Sequence, residues 1–130
     1  MLDFISIKIV AAAQVLMATG TVYFWIKWFG KEHNEPWLPR GYIEHERCFV
    51  YPDSVMSVLL VASAVLLLLG NPIGESLALV CGGMLLFLAT IDIAYFSQNN
   101  MFDRERGGRE SWSLVIPMII MSLLLILRFI

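Results

Sequence analysis

The sequence predicts an all-α integral membrane protein, a four-helix transmembrane bundle, and three observations carry that expectation. The chain is 58% hydrophobic and only 15% charged over 130 residues, against roughly 25% charged residues in a soluble domain. Its mean hydropathy is +0.73. The hydrophobic residues gather into four runs, and two of these, Val55 to Leu69 and Leu77 to Phe96, are joined by the short breaker Gly70-Asn71-Pro72-Ile73-Gly74. So short a link forces an antiparallel helical hairpin. The four runs account for nearly the whole chain, so residues 1–130 read as a single transmembrane domain.

The spans are expected at about residues 4–29, 53–70, 76–97 and 111–129, each able to cross a hydrocarbon core roughly 30 Å thick or nearly so. In the first, Ala11, Gln14, Ala18, Thr21 and Trp25 form a small and polar stripe that should meet protein rather than lipid. Lys8, near the start, can snorkel to the headgroups. A secretory signal is disfavoured, because no basic region precedes the apolar run and hydrophobicity continues to Phe29. The loop of residues 30–52 is rich in Trp, Tyr and charge, as a headgroup segment should be. Within it, Tyr42 to Phe49 reads as a short interfacial helix.

Pro52-Asp53-Ser54 opens the second span, with Asp53 or Ser54 suited to be its N-cap. That span is short enough to borrow Phe49 to Tyr51 or to stand nearly upright. Asp53, Ser57, Leu60, Ala64, Leu67 and Asn71 share one stripe. The third span answers with Ala78, Gly82, Leu85, Ala89, Asp92, Phe96 and Asn99, and these stripes should face each other or a common interior. The loop of residues 98–110 reads as a solvated turn. The last span carries Pro117, where a kink is expected.

Lys27, Lys31, Arg40, Arg47, Arg104, Arg106 and Arg109 lie on the side of the two long loops, against Lys8 and Arg128 on the other. Positive-inside then places both loops in the cytoplasm and both termini outside, in a plasma or bacterial inner membrane. The net charge of −2 argues neither for nor against an acidic partner, but the nine Lys and Arg form no tract suited to a nucleic-acid backbone, so no nucleic-acid partner is expected. Cys48 and Cys81 fall toward opposite membrane faces and form no CxxC, so neither a disulfide nor a redox pair is expected.

Counting outward from the hairpin turn puts Asp53 opposite Asp92, two carboxyl groups at one level of the membrane. An ionisable residue within a span suggests function by default. The expected ligand-binding set is Asp53, Asp92, Tyr95 and Asn99, with Gln14 further along the path and His45 at the headgroup level. The competing structural reading has Asp53 capping a helix while Asp92 pairs with Arg47 or a loop arginine. His33, Glu35, His45 and Cys48 have ligating atoms but no tight second pair, so no metal is assigned. No cofactor is implied.

Three functions fit: binding or transport of a small ligand or ion at the Asp53, Asp92 and Asn99 level; a membrane-embedded enzyme or binding protein for a lipid-like substrate, using His45, Asp53 and Asp92; or a structural subunit. The one-sided polar residues argue against a simple pore, and the acid, base or metal groups of an enzyme are too few. Binding or transport is therefore preferred. The expected partners are the bilayer, further copies of the chain or a larger complex, and a small ligand, ion or lipid.

Overall fold

The computed structural model describes residues 1–130 and contains only helices. These are α1 (Ile7–Phe29), the short α2 (Tyr42–Arg47), α3 (Val50–Leu68), α4 (Ile73–Gln98) and α5 (Gly108–Phe129), with a 3-10 turn at Arg104–Arg106 before α5. Four of the segments, with α2 and α3 taken together as Tyr42–Leu68, are long and apolar enough to cross a membrane. The chain is a four-helix transmembrane bundle.

Where helix boundaries depart from the sequence pattern, local chemistry explains the difference. The first helix starts at Ile7 rather than near Phe4, because the Ser6 hydroxyl caps it by accepting from the Lys8 backbone N–H at 3.2 Å. Asp53 and Ser54 are not N-caps. Helix α3 already begins at Val50 and takes Pro52 into its first turn, where the missing N–H has no helical partner to lose. Cys48 and Phe49 keep right-handed helical dihedrals, so α2 runs on toward α3 with only a brief interruption. Gly108, expected in a turn, instead opens α5, and α5 continues through Pro117.

The α3–α4 turn closes by backbone bonds. Gly70, at φ 73°, supplies the left-handed residue, and the N–H groups of Gly70 and Asn71 donate to the carbonyls of Leu67 and Leu66. Asn71 Oδ1 then accepts from Ile73 N at 3.0 Å to start α4. A buried chain of side-chain bonds ties this turn to α1: Gln14 Nε2 donates to Ser63 Oγ at 2.9 Å, and Ser63 Oγ donates to the Gly74 carbonyl at 2.7 Å. Helices of a bilayer gain little from hydrophobic contact with one another, so such bonds and close small-residue contacts carry the assembly.

Packing follows the expected stripes. Ala11, Gln14, Ala18 and Trp25 of α1 are buried, as are Ser57, Leu60, Ala64 and Leu67 of α3. Gly82 of α4 faces α5 rather than α3: a Cβ there would stand 2.8 Å from Ile126 Cγ1. The helices thus form an open arc in which α1 packs on α3, α3 on α4 and α4 on α5, while α1 and α5 meet only weakly. They are tied at the terminal end, where Leu2 N donates to Leu127 O at 3.1 Å and Arg128 Nε to Ile5 O at 2.9 Å. The two long loops are tied at the other end, where Arg106 Nη2 donates to Trp37 O at 3.3 Å. Between these ties a gap remains.

The first loop carries an ion pair, Lys31 Nζ to Glu35 Oε1 at 2.7 Å. Its hydrogen bond and charge hold the Glu35 carboxyl below its ordinary value of 4.5 and raise the Lys31 ammonium above 10.5. The Glu35 contribution to stability is therefore present above pH 4.5 and is lost as pH falls through its lower folded value. That of Lys31 is present below 10.5 and is lost as pH rises through its higher folded value. Because Lys31 is half exposed, water screens the pair to about a few tenths of a kcal/mol. Lys31→Met is expected to return the Glu35 titration, followed by carboxyl NMR, toward 4.5 with almost no change in melting. An unmoved Glu35 titration would show that the pair does not form in solution.

Candidate functional site

The gap between α1 and α5 is the mouth of a cavity of about 620 Å³, within the range of small-molecule sites. Its walls are apolar: Leu16, Met17 and Phe24 from α1, Leu114, Met118, Met121 and Leu124 from α5, and Met56 and Leu88 behind. Leu16 and Ile120 line it while remaining mostly exposed, so it opens sideways toward the lipid. Toward the loop end the lining turns acidic. Asp53 in the first turn of α3, Asp92 of α4 and Glu46 of α2 all contribute.

The carboxyl groups have few partners. Asp53 Oδ2 accepts from Trp25 Nε1 at 2.9 Å. Asp92 belongs to no ion pair, and no arginine approaches it as the structural reading required: the ion pairs are Lys31 with Glu35 and Asp3 with Arg128 and the chain's amino terminus. Glu46 is only 7% exposed, and its Oε2 is buried without a hydrogen-bond partner. The three acids are near enough for their charges to interact. Yet no three His, Cys, Asp or Glu side chains converge on a point that could hold a metal ion. The arrangement suits a ligand that touches the carboxyls separately.

The other expected site residues lie elsewhere. Tyr95 and His45 stack face to face, ring centroids 3.8 Å apart at 9°, and so clamp α2 against α4. Neither lines the cavity. Asn99 donates to its own helix, Nδ2 to the Tyr95 carbonyl at 2.8 Å. Gln14 sits in the α1–α3 seam on Ser63. Of the six, only Asp53 and Asp92 reach the cavity.

Compared with protein families, curated proteins and solved structures, the chain matches none. The cavity itself is then the guide to function, and its least expected member is Glu46. The loop composition around Tyr42 to Phe49 hid it among solvated charges. The available signal was spacing: Glu46 and Asp53 are seven apart, so a helix running from Tyr42 into α3 puts both on one face.

Proposed function

We propose that this protein binds a small amphipathic ligand that reaches it from the bilayer through the gap between α1 and α5. The single observation that carries this reading is the cavity's division into apolar walls at mid-membrane depth and carboxyl groups at the loop end. The ligand's apolar body lies along Met17, Met118 and Met121, and its polar end meets Glu46, Asp53 and Asp92. Methionines suit such a wall because their flexible thioethers adapt to irregular shapes. Binding is favoured over through-transport, because the polar pair of the far half, Gln14 and Ser63, is spent on a helix–helix bond outside the cavity. The excess of Lys and Arg on the two loops supports a cytoplasmic position for the acidic end.

A ligand that binds the folded state raises its melting midpoint by mass action. Purified protein is expected to gain stability with some amphipathic compound from a panel of lipids and small apolar molecules, and Asp53→Asn and Asp92→Asn are expected to lose most of that gain. If no compound acts and both variants merely melt earlier, the carboxyls only hold the bundle together, and the binding reading fails.

A further inference from the structure

Resting on that binding reading, we propose that the ligand is a lipophilic amine, whose cationic nitrogen pairs with Glu46 and Asp92 while its hydrocarbon body fills the cleft between α1 and α5. The carboxyl cluster alone would not decide this. The second observation is Glu46, only 7% exposed, which lines the cavity and whose Oε2 is buried there without a hydrogen-bond partner in the protein. A buried polar group without a partner costs free energy, so a carboxyl left unsatisfied in a cavity wall marks where a small turn of the side chain would meet a donor.

The lining fixes the donor's charge. It holds three acids and no Lys, Arg or His, so an anionic head would meet repulsion, and a neutral head would leave the acids uncompensated in an apolar setting. A bare metal ion does not fit, because the acids do not converge on one point. An ammonium has several N–H donors pointing in different directions, and can reach separated oxygens. Phe24 and Phe49 are both in the lining, and aromatic rings attract a nearby cation. An ammonium meeting a carboxylate and a free amine meeting a carboxylic acid end as the same ion pair. In the second case the O–H bond breaks, the N–H bond forms and the proton stays within the site.

The test uses the full chain in zwitterionic phosphatidylcholine nanodiscs, with protein-free nanodiscs as the reference for partitioning, and three probes of equal chain length: dodecylamine, dodecanol and dodecanoate. Dodecylamine is expected to bind about tenfold or more tightly than dodecanol, the size of one hydrogen-bonded charge contact, and dodecanoate more weakly than either. Glu46→Gln and Asp92→Asn, both nearly isosteric, are each expected to remove the amine's advantage and leave dodecanol unchanged. Should one variant not fold, the other and the wild-type ranking still decide. If dodecanol or dodecanoate matches dodecylamine, the cavity binds ligand but the amine assignment is overturned. If none of the three binds, the cavity reading falls with it. Stabilisation by sodium or magnesium chloride alone, with no advantage for the amine, would also overturn the assignment.

Discussion

Gly74→Ala is expected to destabilise the bundle by about 3 kcal/mol, near the upper end of ordinary overpacking. A Cβ at this position would stand 2.7 Å from Leu67 N, 3.0 Å from Leu66 C and 3.1 Å from Leu66 Cβ. Two of these are backbone atoms, which cannot turn aside as a side-chain tip can. The first turns of α4 would have to lift away from the end of α3. That movement also displaces the Gly74 carbonyl from Ser63 Oγ, which in turn holds Gln14, so the disturbance reaches α1. Hydrogen bonds of this kind contribute about 0.6 kcal/mol each on average in a bilayer, so most of the loss comes from the steric term. Gly83→Ala is the control, since nothing lies within 4 Å of its Cβ, and helix propensity favours alanine by about 1 kcal/mol. Reversible unfolding of both variants in mixed micelles measures the difference. A Gly74→Ala protein as stable as the wild type would mean that the hairpin is not packed this closely.

Gly20→Phe should do the reverse, sparing the fold while removing ligand binding. Gly20 lines the α1–α5 cavity, and its Cβ meets nothing within 4 Å. On a helix the new ring leans toward the preceding turn, over Leu16 and Met17, and so into the apolar wall. Losing a mid-helix glycine adds a little stability of its own. A ligand must then compete with a ring already in its place. An overpacking cost of about 3 kcal/mol corresponds to roughly a hundredfold loss of affinity. Binding of dodecylamine or of any stabilising compound, measured beside the melting midpoint, gives the two readings together. Unchanged affinity in a folded Gly20→Phe protein would move the ligand out of this gap.

The helices were legible because each run is apolar over more than 20 Å of helix and the hairpin link is too short for anything else. The buried stripes were legible for the same periodic reason: Ala11, Gln14, Ala18, Ser57, Leu60 and Ala64 recur at helical spacing and are buried. The pairing of Asp53 and Asp92 in one cavity also follows from counting outward along the hairpin. Less could be read of what each polar atom bonds to. Gln14 looked like part of a polar path, but which helix its amide faces depends on how α1 rotates against α3, and Ser63 decides that. Asn99 satisfied itself on its own helix turn. Tyr95 found a flat partner in His45, 50 positions earlier in the chain. Glu46 was obscured because loop composition dominates a six-residue helix, and only its continuation toward α3 turns the carboxyl inward.

The ties at the two ends of the gap, Leu2 and Arg128 at the termini and Arg106 at the loops, leave α1 and α5 free to move apart only in between. A slot held at both ends can bow but cannot splay. Pro117 lies on its rim and lacks the N–H that would bond the Ser113 carbonyl, so α5 is softest where bowing is needed. From Ala13 to Phe24 the slot runs about 17 Å along α1. Such a shape measures length before width. A chain that fits between the ties is enclosed, a longer one must leave its tail among the lipids, and each enclosed methylene gains only the small difference between protein and lipid contact, well below the roughly 0.8 kcal/mol of leaving water. If the slot binds such chains, affinity across a homologous series should rise with chain length and then level off, the slot acting on them as a ruler.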